Sequence, residues 1–276
     1  MSCDQPKISI VTVVLNASAE LQRTIFSVSG QYYPQVEFII IDGGSTDGTL
    51  DVIREQQEKI TTWISEPDKG IYDAMNKGLE RATGDWVNFM NAGDVFANAE
   101  VLTRIFGNPP QDAEVMYGDS IAGYPGYCVF RAALPADQLW KGMVCNHQSL
   151  FLRRAVIADT GYDLSFRIGA DHELLYRLYL RGCRFVKVPV TVAIWKTGGV
   201  SDRRQVKSAM ERYRLVKLHS VLHARQKAYY LLLVLLSVVV QGVYAVFPQG
   251  VVSALVKWTN RSRILQGDSR LKFDTL

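Results

Sequence analysis

Short apolar runs alternate with helical patterns through the first part of the chain. The first run, ISIVTVVL, is rich in β-branched residues, as expected of a strand that is buried on both faces of a parallel sheet. The runs lie at residues 8–15, 38–41, 61–64 and 86–90.

Between these runs, apolar residues recur at helical spacing. The segment 19–29 has this pattern, and in the segment 70–82 the residues Ile71, Met75 and Leu79 follow one another at four-residue steps. Because strands alternate with helices, the pattern predicts an α/β fold with a doubly wound, mostly parallel sheet.

The second half of the chain has weaker patterns. Strands are predicted at 115–117 and 185–192, and a turn at 123–126. A helix is predicted at 171–180 and a basic helix at 205–225.

Composition limits the class of protein. With 276 residues, the chain can form one large α/β domain and an appendage. A net charge of +4 is too small to indicate a nucleic-acid partner, and none is expected. The four cysteines are scattered, which favours free thiols in a reducing compartment. The first residues lack the basic start and long apolar stretch of a signal peptide, so we expect the first part of the chain to stay in the cytoplasm.

Two acids follow predicted strands. Asp42 ends the second strand and Asp94 comes just after the fourth. Ligands of open parallel sheets bind beyond the carboxyl ends of the strands, so both acids are candidates for a site. Gly44 lets a backbone approach a ligand, and Ser45 or Thr46 is expected to cap the next helix, whose first amides favour anions. Each segment alone is also compatible with an ordinary loop.

Six polar, glycine-containing or aromatic segments follow one another along the chain. They are IIIDGGSTDGT (39–49), EPDKGIYDAMNKG (66–78), GDWVNFMNAGD (84–94), HQSLF (147–151), GADHELLYR (169–177) and GGVS (198–201). In order and spacing they resemble the signatures of family 2 glycosyltransferases with the GT-A fold, and most of all the enzymes that build bacterial capsule, exopolysaccharide and O-antigen units. The similarity covers roughly residues 7–202.

The resemblance implies a site for a nucleotide-sugar donor. Asp42 matches the acid that binds the donor's base, usually uracil or guanine, and Gly44 lies in the same loop. Asp68 lies in the segment that closes over the nucleotide, and Asp73 and Asn76 share a helix face near the sugar and ribose.

The resemblance also implies a metal ion and a base. Asp94 matches the last acid of the metal-binding region, and Asp171 matches the general base of an inverting transfer. A hard cation, Mg²⁺ or Mn²⁺, would neutralise the diphosphate. The family often has a second acid after Asp42, where this chain has Gly43, and further acids in the metal region, where it has Asn91 and Gly93. The diphosphate is therefore expected to supply most of the metal ligands, and Asn91 is a candidate for binding the donor.

Other polar residues have two readings each. His147 could contact an acceptor or the diphosphate, or be satisfied locally. His172 could contact an acceptor or lie at the surface, and Glu173 could orient the site or face solvent. Lys196 with the glycine pair at 198–199 could form a loop over the diphosphate or an ordinary turn.

Residues 228–256 contain no charged side chain. About 20 apolar residues are enough to cross a bilayer, so we expect residues 221–276 to associate with a membrane and residues 1–220 to form the catalytic domain. Pro248 and Gly250 divide the stretch, and its basic flanks are symmetric. A single span, a re-entrant or in-plane hairpin and a buried helix therefore stay open.

These features predict an inverting glycosyltransferase, of hexosyltransferase type, at the cytoplasmic face of the inner membrane. Its donor would be a UDP- or GDP-linked sugar and its acceptor a lipid-linked or other glycan. The alternative is a catalytically silent nucleotide-sugar binding module that recruits partners to the membrane. A nucleotidyltransferase would need a glycine-rich basic loop after the first strand, and a dehydrogenase would need Gly-x-Gly-x-x-Gly there; this chain has neither.

Overall fold

The structure is a computed structural model that describes residues 5–197, 205–219, 223–247 and 249–265. The predictions for the glycine pair at 198–199 lie outside these residues. The strands are β1 (Ile8–Val14), β2 (Val36–Asp42), β3 (Thr62–Ser65), β4 (Trp86–Phe89), β5 (Val95–Phe96), β6 (Val115–Tyr124), β7 (Tyr127–Arg131), β8 (Leu150–Arg153) and β9 (Phe185–Lys196). The α-helices are α1 (Ser18–Ser29), α2 (Thr49–Glu55), α3 (Ile71–Arg81), α4 (Val101–Phe106), α5 (Arg154–Ile157), α6 (Ala170–Leu180), α7 (Gln205–His219), α8 (Ala224–Val246) and α9 (Gln249–Thr259).

All of these strands belong to one sheet, in the order β3-β2-β1-β4-β8-β6-β9-β5, with β7 paired to the edge of β6. The strands from β3 to β4 are parallel, which confirms the predicted βα pattern. β8 then runs antiparallel to both β4 and β6, so the far half of the sheet is mixed. The chain winds outwards from β1 to β3 and returns to β4 on the other side of β1. The sheet therefore has its switch point between β1 and β4.

Every residue of β1 is buried, because each face of the sheet is covered. Alternate side chains enter two separate cores. Val11 and Val13 join the core that contains α3, α6 and α7, whereas Ile8 and Ile10 join the core under α1 and α4.

Two local predictions for the first half were wrong in detail. In α3 the buried stripe is Tyr72, Met75 and Leu79, while Ile71 is largely exposed at the first position of the helix. Neither Ser45 nor Thr46 caps α2, which begins at Thr49 after a left-handed glycine at position 48.

The second half has longer elements than predicted. β6 runs to Tyr124 and β9 to Lys196. Pro189 is accommodated because the register between β6 and β9 shifts beside it, between the pairs Tyr117–Lys187 and Asp119–Thr191. A proline has no N–H for a ladder, and a bulge removes the need for one.

The predicted basic helix at 205–225 is two helices, since α7 ends at His219 and α8 begins at Ala224. The predicted boundary between residues 220 and 221 falls between them. The first turns of α8 pack on the rest of the fold, where Tyr230 is buried in the same core as α6. Independent folding of residues 1–220 stays a prediction.

Candidate active site

The predicted site residues gather at the carboxyl edge of the parallel strands. Asp42 ends β2, the loop at 66–70 follows β3, and the loop at 91–94 follows β4. The first turn of α6, with Asp171, faces the same edge, because the Tyr72 hydroxyl of α3 donates to Asp171 Oδ1 at 3.3 Å.

Asp42 is fully buried and organises the loop that follows it. Its Oδ2 accepts hydrogen bonds from the backbone N–H of Gly44 (3.1 Å) and Ser45 (3.0 Å) and from the Ser65 hydroxyl (2.6 Å). Its Oδ1 accepts the Ser45 hydroxyl, which explains why that side chain does not cap α2. Gly44 adopts a φ of 88°, which a side chain would disfavour. Asp42 therefore shapes the loop, and its contact with a base stays a prediction.

The carboxylate of Asp68 covers Gly43. A Cβ added at Gly43 would collide with Asp68 Oδ2, while Oδ1 of the same group accepts the Gly70 N–H at 2.7 Å. An acid from the β3 loop thus fills the space that a side chain at position 43 would take. Beside it, the Leu15 side chain at the end of β1 is 55% exposed and offers an apolar surface in the cleft.

The two polar residues on α3 have different partners. Asp73 Oδ2 accepts the Lys69 N–H at 3.0 Å and lies 3.8 Å from Lys77 Nζ, so it fixes the β3–α3 loop. Asn76 accepts the N–H of Tyr162 (2.8 Å) and donates to its carbonyl (2.9 Å). The structure gives Asn76 a positioning contact, and its approach to the sugar stays a prediction.

Asp94 is buried and has no cationic partner among the described residues. Gln148 Nε2 donates to Asp94 Oδ2 at 2.5 Å. Burial raises the pKa of Asp94 to about 7, although the hydrogen bond from Gln148 opposes this. Thr24 fixes the loop, because its hydroxyl donates to the Asp94 carbonyl at 2.9 Å and accepts the Gly93 N–H at 3.0 Å.

A chain of side chains connects this loop to α6. Asn91 Nδ2 lies 2.9 Å from His147 Nε2, and His147 Nδ1 lies 3.8 Å from Asp171 Oδ2. Burial lowers the pKa of His147, although Asp171 opposes this, so the ring is neutral at pH 7. If Asn91 donates to Nε2, the neutral ring carries its proton on Nδ1, towards Asp171.

Asp171 is 18% exposed, so its carboxylate can meet a substrate. Its own helix holds Oδ1 through the His172 N–H at 2.8 Å. The same hydroxyl proton is shared with the Ile168 carbonyl, the nearer acceptor at 2.6 Å, so Tyr72 contacts both Asp171 and the residues that lead into α6. Burial, and secondly the charge of Asp171, raises the pKa of Tyr72 well above its usual range, so its hydroxyl stays protonated. No local pattern indicated this contact, because Tyr72 also has a place in the buried stripe of α3.

A divalent cation would find few but suitable ligands. Oδ1 of Asn91 is buried without a hydrogen-bond partner, three residues from the Asp94 carboxylate. Unpartnered amide oxygens and carboxylates are the groups that Mg²⁺ and Mn²⁺ bind. Among the described residues there is no cluster of three or more His, Cys, Asp and Glu side chains. Asp94 and Asn91 are the ligands that this loop can offer, and the expectation that the diphosphate supplies most of the metal ligands stays a prediction.

Three less specific candidates are now placed. His172 is buried and its Nε2 lies 2.6 Å from the Leu139 carbonyl, so it faces the interior. Glu173 does not face solvent: it is buried and pairs with Arg177 Nε and His219 Nε2, each at 2.9 Å. Lys196 is exposed at the end of β9.

Several known proteins have similar sequences. Residues 9–124 match the family model for glycosyl transferase family 2. An uncharacterised glycosyltransferase of Mycobacterium tuberculosis is 32% identical over 209 residues, covering 72% of this chain and 79% of that protein. A PGL/p-HBAD biosynthesis glycosyltransferase of Mycobacterium bovis is 33% identical over 181 residues, covering 63% of this chain and 70% of the relative.

Solved structures share the fold at low identity. The mannosyltransferase PcManGT from Pyrobaculum calidifontis, in complex with GDP-Man and Mn²⁺, has a TM-score of 0.64 at 14% identity and covers 93% of this chain and 80% of its own. Staphylococcus aureus TarS 1–349 in complex with UDP has a TM-score of 0.60 at 16% identity, with 81% of this chain and 69% of that chain covered.

An α/β sheet of this topology, with acids and amides at its carboxyl edge, defines a GT-A transferase that uses nucleotide-sugar donors. The chain belongs to glycosyltransferase family 2, and it is a glycosyltransferase.

Proposed function

We propose that this enzyme transfers a hexosyl group, with inversion, from a UDP- or GDP-linked sugar to a lipid-linked glycan at the cytoplasmic face of the inner membrane. One observation carries the proposal. The partly exposed carboxylate of Asp171 lies 3.8 Å from His147 Nδ1, and Nε2 of the same ring lies 2.9 Å from Asn91 Nδ2, in the loop that would hold the diphosphate. A candidate base and a candidate leaving-group site are therefore close together at one edge of the sheet.

Two groups on this chain support recognition of the donor's base. Asp68 Oδ2, above Gly43, can accept the imino N–H that uracil and guanine share, and Leu15 can contact the flat face of the base. Asp42 supports both by fixing the loop between them. Related folds bind UDP, UDP-GlcNAc and GDP-Man, which is consistent with either base.

The proposed step is a single displacement. The acceptor oxygen forms a bond to the anomeric carbon, its proton passes to Asp171, and the bond from the anomeric carbon to the phosphate oxygen breaks with its electron pair. The His172 N–H holds the carboxylate in place during this step, and the Tyr72 hydroxyl makes a second, longer contact with it. A divalent cation, when bound, neutralises charge on the departing diphosphate, and Asp94 with Asn91 would hold it.

A lipid-linked acceptor is supported by the carboxyl-terminal helices. Residues Ala224–Val243 form one helical segment that is long and apolar enough to cross a membrane, and little of it is buried in the protein. Apolar surface of this extent indicates an interaction with lipid or another protein. A relative is a PGL/p-HBAD biosynthesis glycosyltransferase, which is also consistent with a lipid or glycolipid acceptor.

The test is Asp171→Asn in the purified full-length protein, with Asp112→Asn as the control because Asp112 is exposed and pairs only with Arg184 among described residues. Donor sugars are screened first by hydrolysis and thermal shift. We expect Asp171→Asn to lower turnover by about 10²–10⁴, typical for loss of a general base, and to leave donor affinity unchanged.

Three results would contradict the proposal. Near-normal transfer by Asp171→Asn would show that Asp171 is not the general base. A product with retained anomeric configuration, determined by NMR, would exclude a single displacement. Nucleotide-sugar binding with neither hydrolysis nor transfer would favour the silent binding module.

A further inference from the structure

We infer that α8 and α9 lie flat on an anionic lipid bilayer and that neither helix crosses it. The inference rests on the membrane location proposed above and adds the geometry, which the sequence left open between a span, a hairpin and a buried helix.

First, α8 lies alongside α7. The rings of Tyr213 and Tyr230 are 5.8 Å apart, and further along the Val206 N–H donates to Gln241 Oε1 at 3.4 Å. Residue numbers rise along α8 as they fall along α7, so the two helices are antiparallel neighbours. The contact extends over most of α8, which therefore does not project away from the protein.

Second, α7 is part of the catalytic domain. Leu215 and Val216 are buried in the core that also contains β1 and β4. At the start of α8 the Tyr230 hydroxyl donates to the Trp140 carbonyl, and the ring of Tyr229 packs 5.4 Å from that of Trp140. The position of α8 is thus fixed against the body of the enzyme.

Third, the outward face of α8 is apolar. Its side chains recur at helical spacing and are 50–77% exposed, and they include Leu231, Leu235, Val239 and Val246. The opposite face has Tyr230 and is turned to the protein. A helix with one buried face and one exposed row of Leu and Val suits the interface of a bilayer better than its centre.

Fourth, the chain returns to the catalytic domain after α9. Ile264 pairs antiparallel with Val129 of β7, and the Leu265 N–H donates to the Cys128 carbonyl at 3.0 Å. The start of α8 and the chain after α9 are therefore attached to the same domain, so these are the two ends of the apolar pair α8 and α9. Both ends must then lie on the same side of the membrane.

A crossing by α8 is incompatible with these contacts. A span places about 20 residues in a hydrocarbon layer about 30 Å thick. If those residues of α8 lay in the hydrocarbon, the neighbouring helix α7 would lie there too, together with the exposed Lys207, Arg214 and Lys217 of α7. Charged side chains are costly there, whereas at the surface they remain in water.

Charge favours anionic lipid as the partner. Residues 223–265 contain no Asp or Glu. The basic residues stand at the two ends of the pair, where an in-plane helix would present them to headgroups. They are Arg225, Lys227, Lys257, Arg261 and Arg263. Trp258, which is 62% exposed beside them, is the residue type that prefers the interface.

The experiment measures depth in the full-length protein. In a cysteine-free background, single cysteines at Leu231, Val239 and Val246 are labelled with an environment-sensitive fluorophore. The protein is then bound to phosphatidylcholine vesicles with and without phosphatidylglycerol. We expect all three labels to report a similar shallow depth and binding to require phosphatidylglycerol. Labels that differ in depth, with one at the bilayer centre, would overturn the in-plane geometry.

A second pair of variants tests the contact face. Leu231→Asp with Leu235→Asp should lower vesicle binding by about tenfold or more, because two exposed leucines that would enter the lipid are lost. Leu134→Asp with Leu164→Asp is the matched control, since these leucines are also exposed but lie elsewhere, and binding should hold. Equal loss in both pairs, or a dimer broken by the first pair in place of vesicle binding, would refute the lipid assignment.

Transfer to a water-soluble acceptor is measured on the same variants. Retained transfer with lost vesicle binding shows a folded enzyme. If transfer is absent from the unmutated protein, the proposed function fails, and the depth measurement still decides the geometry.

Discussion

Glu211 on α7 should determine the position of Asp171 indirectly, through the backbone just before α6. Its buried carboxylate accepts three successive backbone N–H groups just before α6: those of Arg167 (3.3 Å), Ile168 (2.9 Å) and Gly169 (3.0 Å). These residues lead directly into the turn that carries Asp171. Glu211→Gln removes the charge and one acceptor oxygen while it keeps the size of the side chain.

The expected cost follows from these contacts. Hydrogen bonds to a charged group contribute about 1.5–3 kcal/mol each. The glutamine oxygen can keep the two bonds at the Oε2 position only as weaker, neutral bonds, and the amide nitrogen leaves the Arg167 N–H without its acceptor. We expect Glu211→Gln to lower the free energy of unfolding by about 2–4 kcal/mol, and Tm by about 5–15 °C in a chain of this size. A looser turn misplaces Asp171, so kcat should fall about tenfold or more. The KM for the donor should change little, because the donor loops contact other strands.

The assay combines thermal unfolding with steady-state kinetics well below the Tm of the variant. Glu100→Gln is the control, since Glu100 is an exposed glutamate that pairs with Arg104 on its own helix. A purely structural role would lower Tm with kcat unchanged, and that result would refute the positioning argument. So would a rise in donor KM without a fall in kcat.

Three further predictions concern other parts of the molecule. Glu37 is buried, but hydrogen bonds to its ionised form outweigh burial and lower its pKa from 4.5 to about 2. About 3 kcal/mol of stability should therefore be present above pH 4.5 and disappear towards pH 2, and acid unfolding of Glu37→Gln should lack this component. Gly43→Ala should displace the Asp68 carboxylate and weaken donor binding about tenfold by calorimetry, whereas Gly43→Asp combined with Asp68→Ala should recover much of the affinity. Equal donor affinity in the unmutated enzyme and both variants would show that an acid at position 43 does not replace the one at position 68. Asp94→Asn should raise the Mn²⁺ concentration for half-maximal transfer about tenfold or more, and full activity of the unmutated enzyme in excess EDTA would contradict any metal role.

The parallel half of the fold was predictable from sequence because its signals are local. Strands such as β1 are buried on both faces, so they appear as continuous apolar runs, and the helices between them keep a buried stripe. The acids that end these strands gather at one edge by topology alone. Asp42 and Asp94 could therefore be placed near each other from their positions in the chain.

What could not be predicted depends on contacts between distant segments. Nothing in the local pattern shows that Gly43 leaves room for Asp68, or that Gln148 donates to Asp94. Ser45 has the side chain of a helix cap, yet the Asp42 carboxylate is a nearer acceptor for its hydroxyl. A local preference is worth about 1 kcal/mol and is overridden by such a bond.

The helix α7 joins the two parts of the enzyme that sequence patterns treat separately. On one side Glu211 fixes the turn before Asp171, and on the other Tyr213 packs against Tyr230 of α8. If the outward face of α8 rests on lipid, as inferred above, α7 sets the height of the Asp171 carboxylate above the bilayer. An acceptor sugar linked to a lipid headgroup would then reach Asp171 only within a narrow range of linker lengths. Because α7 belongs to the core, this height cannot change without unfolding part of the catalytic domain.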